Sequence, residues 1–406
     1  MHIVFFNHTG IVSGAERMLL LSLAKLPAHG YRTSLLCPNE GTLRAKAEAL
    51  GTPCYAVRPF EARFTYNPVQ LLRYVWSIGW SLADLRRSLL SLRPDLVQAN
   101  TVRAGIAATL ATIGTRIPVI WHSHDILPEH PVTRGVRWLA HSTRRNRLVA
   151  CSQAAANSLR ESDTREKHPG VTVILNGIET ERYRRNDELR RRMREELGFA
   201  SDTVGIGIVG QITKRKGQLG LIQTFAEVEK AVPNAVLVIV GAPLFNKDHD
   251  YLKLLHEEVE RLGLQSSVLF LGHRSDASNV MQALEIIVVN SEVEPFALVL
   301  VEAMAMEKAV IATDSGGTTE LIEPGINGDI VPVYDTPALA ETMIRLATHP
   351  DIRAEYGAHG GRYVHAALTT ERYIGKWCAL YSRIAAESSP AQLQEKVGAA
   401  AEGVIG

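Results

Sequence analysis

Short apolar runs alternate with longer helical patterns along almost the whole chain, and this alternation restricts the fold more than any other feature. A first series is Ile3–Phe6, Ser34–Cys37, Leu96–Ala99, Val119–Trp121 and Leu148–Cys151. A second is Val204–Val209, Val236–Val240, Val268–Leu271, Ile286–Val289 and Val310–Ala312. Repeated strand–helix units of this kind build parallel sheets covered by helices on both faces. Two series in 406 residues predict two doubly wound α/β domains, because a domain holds roughly 100 to 200 residues. The strong turn signal Asn176-Gly177, followed by Ile178-Glu179, sets the hinge near residues 170 to 180. The expected division is 1–175 and 176–370. An amphipathic last helix, Glu371 to Ala386, carries Tyr373, Trp377, Leu380, Tyr381 and Ile384 on one side. The small and polar residues 389–406 are expected to be a disordered tail.

Charge excludes one class of partner. Lys plus Arg against Asp plus Glu is 44 − 43 = +1, so no global field favours nucleic acid. The cysteines Cys37, Cys54, Cys151 and Cys378 lie far apart without C-x-x-C spacing, as expected of core thiols in a reduced protein. No apolar stretch reaches the roughly 20 residues that span a bilayer, and the chain starts directly as strand rather than as a basic leader. A cytoplasmic location is expected.

Glu294 and Glu302 stand eight positions apart with no other polar side chain between them, just after the run Ile286–Val289. That run predicts a buried strand and Phe296–Met306 the helix after it, so Glu294 lies in the loop and Glu302 about two turns along the helix. A ligand across the helix N-terminus meets both acids, and its phosphates meet unpaired amides at Phe296, Ala297 and Leu298. The competing reading is a loop acid and a solvated helix acid. Other candidates also follow strands, where an open parallel sheet binds its ligands. The loop after the first strand runs Asn7-His8-Thr9-Gly10-Ile11-Val12-Ser13-Gly14-Ala15-Glu16-Arg17. Gly14 lets a diphosphate approach the backbone and Ser13 can cap the helix. Glu16 and Arg17 are either in reach of an acceptor or solvated, and Asn100 faces the same cleft. His122 and His124 share a face of Trp121-His122-Ser123-His124-Asp125, without a third ligand at metal spacing.

Gly210-Gln211-Ile212-Thr213-Lys214-Arg215-Lys216-Gly217 follows the first strand of the second series. The neighbouring Gly205-Ile206-Gly207-Ile208-Val209-Gly210 has the G-x-G-x-x-G form, but its first glycines fall inside the strand, which argues against a nicotinamide site. Gly272-His273-Arg274 follows another strand. Arg134, Arg137, Arg144, Arg145 and Arg147 surround Val136, Trp138 and Leu139. They read either as an anionic membrane contact or as a solvated face. The segment Arg182–Arg194 is interspersed with Asp187 and Glu188 and reads as a solvated helix.

The order strand, Glu-Pro-Phe-Ala, helix with Glu302-Ala303-Met304-Ala305, strand, and Gly316-Gly317 turn resembles the retaining glycosyltransferases of family 4. The resemblance covers nearly the whole chain and implies the two-domain GT-B fold, with the last helix returning to the N-terminal domain. It implies a glycine-rich acceptor-side loop at Ser13-Gly14, where Ser13 replaces a glycine. It also implies a donor-sugar contact at His124 and backbone contacts to the base at His273 and Arg274. Family members clamp the donor diphosphate with an Arg and a Lys. Lys216 matches the Lys, Gln211 stands at the Arg position, and Lys214 or Arg215 could compensate. Ala297 replaces another glycine and still donates its N–H if φ stays negative. The implied activity is metal-independent, retaining transfer of a hexosyl unit from a nucleotide-diphosphate sugar. Glu294 would hold the sugar, Glu302 the ribose and Lys216 the diphosphate. The acceptor would be a saccharide or lipid-linked saccharide, as in bacterial cell-surface polysaccharide or glycolipid synthesis. A sugar-nucleotide epimerase and a catalytically weak scaffold subunit are the alternatives.

Overall fold

The computed structural model describes residues 1–59, 68–160, 170–244 and 248–387, with backbone alone at 68–76. The tail at 389–406 lies outside the described residues. The first sheet contains β1 (His2–Phe6), β2 (Arg32–Cys37), β3 (Cys54–Ala56), β4 (Leu96–Ala99), β5 (Val119–Ser123), β6 (Asn146–Ala150) and β7 (Val171–Val173). Their order is β3-β2-β1-β4-β5-β6-β7, parallel throughout. The second contains β8 (Val204–Val209), β9 (Ala235–Val240), β10 (Val268–Gly272), β11 (Ile286–Val289), β12 (Ala309–Thr313) and β13 (Asp329–Val331). It is parallel in the order β10-β9-β8-β11-β12-β13.

The ten strands read from apolar runs are present. The three that were not, β3, β7 and β13, are three-residue edge strands. An edge strand buries one flank only and needs no continuous apolar run. Central strands such as His2–Phe6 are buried at every position because helices cover both faces. In each sheet the strand order reverses once, between β1 and β4 and between β8 and β11. Loops leaving the two sides of such a point diverge, and a crevice opens between them. The loops at 7–13 and 210–217, together with Asn100 and the 290–297 loop, are those crevice loops.

The last helix, Thr370–Glu387, starts beside the chain junction and ends on the first sheet. Ile178 donates its N–H to Leu368 O at 2.9 Å, and Thr370 donates to Ile178 O at 3.0 Å. Gly177 permits this approach, since a Cβ there would lie 2.5 Å from Thr369 O. Farther along, the Tyr381 hydroxyl donates to Gln98 Oε1 of β4 at 2.5 Å. Trp377 meets the His122 ring of β5 edge-on at 4.8 Å. All five aromatic and aliphatic residues of the expected face are buried.

Two surface readings are corrected. The helix Asp187–Glu196 is not simply solvated: Arg190 and Arg194 both pair with Glu285, and Arg194 also donates to Thr203 O at 2.9 Å. An arginine can cover apolar surface and satisfy carbonyls together, which alternating charge in sequence does not reveal. In the arginine patch, Arg137 donates to Ser158 O at 2.8 Å and pairs with Glu129, while Arg147 pairs with Glu387. Both are half-buried and already carry an acidic partner. The cysteines are free thiols, with Cys37 and Cys151 buried and Cys54 and Cys378 half-buried.

Trp377→Ala should lower stability by about 3–5 kcal/mol, the usual range for deleting a fully buried large aromatic. The urea midpoint measures it, and an unchanged midpoint would mean that the helix does not support the first sheet.

Candidate functional site

Glu294 is fixed by backbone before any ligand arrives. Its N–H donates to Ser315 O at 2.8 Å, and its carbonyl accepts from Gly317 at 2.8 Å. Gly317 allows the crossing, because a Cβ there would sit 2.0 Å from Pro295 O. The side chain is 8% exposed, accepts from Ser291 Oγ at 3.1 Å and forms an ion pair with Lys216. Lys216 reaches it from the loop after β8. Gly217, at φ +67, lets that loop approach Asn290 closely enough that a Cβ would meet its carbonyl at 2.0 Å. The loops are joined again where Glu292 N–H donates to Arg215 O at 2.9 Å and Arg215 Nη1 donates to Val293 O at 2.6 Å.

The following helix spans Leu298–Ala305, so Glu302 lies one turn along it rather than two. The helix starts two residues later than expected, after the buried Phe296 and Ala297. Ala297 keeps φ at −77. No acceptor meets the amides of Phe296 and Ala297 among the described residues. The Leu298 amide differs from expectation: it turns back to Phe296 O at 3.0 Å, so it is not a free phosphate donor. The Gln211 side chain makes no hydrogen bond among the described residues, while its carbonyl accepts from Gln218 Nε2 at 2.8 Å. Gly210, at φ +150, ends β8 beside it. Arg274 is held by Asp276 and Glu196, leaving its backbone and the exposed His273 as the free groups at that turn.

The first-lobe loop is more internally committed than its sequence suggests. Glu16 is 2% exposed and therefore not solvated. Its carboxylate accepts from Ser13 N at 3.0 Å, Ser13 Oγ at 2.5 Å and Asn7 Nδ2 at 3.1 Å. Asn7 Nδ2 also donates to Thr9 O at 2.7 Å. Asn100 Nδ2 donates to Ala15 O at 3.1 Å and Asn7 Oδ1 at 3.4 Å. Asn7, Asn100 and Glu16 thus shape the loop instead of presenting free groups to an acceptor. Ser13 has φ −123, so the position needs no glycine. Exposed Gly14 faces the second lobe, where its Cβ position is 3.6 Å from Leu298 Cδ1.

Arg17 crosses the gap. Its Nη2 donates to the Tyr183 hydroxyl at 2.8 Å and pairs with Glu302, which is 4% exposed. A second acid makes a further crossing: Glu320 accepts from the amides of Gln153 and Ala154, each at 2.7 Å. Those amides open the helix Gln153–Leu159, whose dipole favours an anion at that end. Tyr183, Ser291 and Glu320 were not found by motif, since their roles depend on partners 3 to 167 positions away.

The His124 and His122 rings meet tilted by 54°, 3.9 Å between centroids, with His124 Nε2 3.2 Å from His122 Nδ1. Burial lowers the pKa of both, His124 to about 4 and His122 well below its ordinary value. His8, bonded to Thr101 Oγ1 at 2.8 Å, is likewise lowered to about 4 by burial and by Arg103. Asp125 is open to solvent at its edge yet ringed by protein in the cleft. Desolvation raises its carboxyl pKa, opposed by Arg215 of the second lobe and by Arg103. The buried Cys151 thiol is raised by desolvation and by both Asp125 and Glu294. Gly316 lies between the two sides, since a Cβ there would be 2.6 Å from Ile126 Cδ1, next to Asp125, and 3.4 Å from Glu294 O. The His124-Asp125 turn and the Glu294–Lys216 pair therefore face one gap. No group of three or more His, Cys, Asp or Glu side chains is arranged to hold a metal ion among the described residues.

With this geometry in place, comparison with known proteins is decisive. Residues 12–182 match the profile of Glycosyltransferase Family 4, and residues 190–362 match that of Glycosyl transferases group 1. The chain belongs to the family 4 glycosyltransferases. It is 25% identical over 310 residues to the capsular polysaccharide biosynthesis glycosyltransferase CapM of Staphylococcus aureus, covering 73% of this chain and 78% of that one. It is 29% identical over 295 residues to a D-inositol 3-phosphate glycosyltransferase of Stackebrandtia nassauensis, covering 68% and 65%. Among solved structures, Anabaena HepE in complex with UDP-glucose superposes with a TM-score of 0.81 at 27% identity, covering 94% of this chain and 100% of that one. The fold is thus GT-B, two Rossmann-like units across a cleft, and the chain is a glycosyltransferase.

The neutral histidines give a signed pH prediction. An unfolded histidine titrates near 6.5, so between that value and about 4 the unfolded chain binds protons that folded His124 refuses, and stability falls as pH falls. The urea midpoint should drop between about pH 7 and about pH 5, with a shallower slope in His124→Gln. Parallel slopes in the two proteins would contradict a buried neutral ring.

Proposed function

We propose that this glycosyltransferase moves a hexosyl unit from a nucleotide-diphosphate sugar to a saccharide or lipid-linked saccharide with retention of configuration. The observation that carries the reading is the Lys216–Glu294 pair beside the open amides of Phe296 and Ala297. A cation and free amides suit a diphosphate, and a fixed carboxylate suits sugar hydroxyls. In this reading Lys216, Arg215 and the amides take the charge that grows on the diphosphate as the glycosidic bond breaks, without needing a metal. The acceptor oxygen attacks from the same face, and its proton passes to the departing phosphate oxygen. Glu294 holds the sugar, Glu302 the ribose, and His124 reaches the sugar from the opposite lobe. The UDP-glucose complex of HepE and the capsular role of CapM support a hexosyl donor and a cell-surface product.

No described helix is long and apolar enough to cross a membrane. Exposed Trp138, Val132, Arg134 and Arg144 support peripheral contact with an anionic cytoplasmic leaflet, where a lipid-linked acceptor would reside.

Thermal shift against UDP, GDP, ADP and TDP identifies the nucleotide, since a ligand of the native state raises the melting temperature. Transfer or donor hydrolysis should then fall by about a hundredfold or more in Glu294→Ala and Lys216→Ala, as for other losses of groups that stabilise charge in the transition state. Equal turnover in all three proteins rejects the proposal. Nucleotide binding without turnover by the wild type favours the scaffold reading.

A further inference from the structure

The donor diphosphate presents a charge problem that the second lobe does not solve alone. Lys216 is already neutralised by Glu294, and Gln211, at the position of the family's arginine, is uncharged. Arg215 spends one nitrogen on Val293 O and lies near the carboxylate of Asp125. A diphosphate placed here would therefore meet Lys216 and Arg215 with part of their charge already shared with carboxylates.

Arg17 can supply a further cation. It sits one turn into the helix Gly14–Lys25, whose first residue faces Leu298 across the cleft. Its partner Glu302 lies four residues beyond Leu298, about 6 Å along the helix axis at 1.5 Å per residue. The guanidinium has five N–H donors in a planar fork. Both contacts it makes, to Tyr183 and to Glu302, use Nη2. The N–H groups of Nε and Nη1, which point in different directions, have no partner among the described residues, and the side chain is 45% exposed.

We propose that Arg17 is a donor-binding residue that bridges Glu302 and the donor diphosphate, replacing from the first lobe the cation missing at Gln211. This assignment rests on the nucleotide-sugar reading and moves Arg17 from the acceptor side, where sequence placed it, to the donor side. Retaining the Nη2 contact keeps buried Glu302 paired, so ligand binding does not leave a carboxylate uncompensated. The ribose hydroxyls then share Glu302 with Arg17, while a free N–H of Nη1 or Nε donates to phosphate oxygen in a charge-assisted hydrogen bond. Because Arg17 and Lys216 come from different lobes, the diphosphate itself would draw the lobes together. A nucleoside, lacking phosphate, would not.

The test measures calorimetric binding of whichever nucleoside diphosphate gives the thermal shift, and of its parent nucleoside, to wild type, Arg17→Ala, and Arg17→Ala combined with Gln211→Arg. Losing one charge-assisted contact should weaken the diphosphate about ten- to a hundredfold. The nucleoside should change less than about threefold, and Gln211→Arg should restore most of the diphosphate affinity. Arg17→Lys, which keeps the charge and a Glu302 partner, should lie between wild type and Arg17→Ala and guards against a general folding defect. Equal weakening of both ligands, or no recovery with Gln211→Arg, overturns the proposal and leaves Arg17 as a contact between lobes. A wild type that binds none of the diphosphates overturns instead the nucleotide-sugar reading beneath it.

Discussion

A carboxylate withdrawn from water stays charged only beside a cation or a set of hydrogen-bond donors, and two such carboxylates organise this cleft. Glu294 and Glu302 are both almost fully buried. Leaving either unpaired would cost several kcal/mol. Lys216 answers the first from within the same lobe, so one half of the site is complete inside the second domain. Arg17 answers the second from the first lobe, so the other half exists only when the lobes meet. Glu320 adds a contact of the same kind by accepting two amides of the first lobe. The two contacts between lobes depend on short-range charge, which water can replace once the lobes part. The closed arrangement can therefore be specific without being locked.

The stiffness of the site comes from backbone crossings. Gly217 and Gly317 each allow a carbonyl to pass where a Cβ would collide, and the loops carrying Lys216 and Glu294 are tied to each other through Arg215, Glu292 and Val293. The ion pair is thus positioned by main chain, and little ordering of these loops remains for a ligand to impose. Where the chain departs from the family's glycines, the backbone shows why it can. Ser13 and Ala297 both have negative φ, so a side chain brings no strain there. Gln211 is different, because a neutral amide removes charge and no backbone adjustment compensates for it.

The strand positions and the two-lobe arrangement were legible because fully buried parallel strands must be continuously apolar. The E-x7-E spacing and the Lys216 loop were legible because each follows a strand end, and the His122–His124 face because it spans the end of β5. What was misread were partnerships. Glu16 and Asn100 looked available and prove to brace the first loop, Glu16 from within it and Asn100 from the end of β4. Arg190 and Arg194 looked solvated and prove to be docked on Glu285. The helix at Leu298 begins two residues late and turns one expected amide away. A side chain's type limits what it can bond to, but packing selects the partner.

Sequence by itself determined which segments become strands, which loops leave their carboxyl ends, and which charged residues those loops carry. These follow from local periodicity and from the requirement that buried backbone be paired. Tertiary structure alone decided that Arg17 meets Glu302 across 285 residues and that Glu320 meets the Gln153 helix across 167. It also decided that Trp377 comes to rest against His122. Coulomb and packing energies depend on distance in space, and distance in space is set by how two whole sheets and one returning helix close on each other.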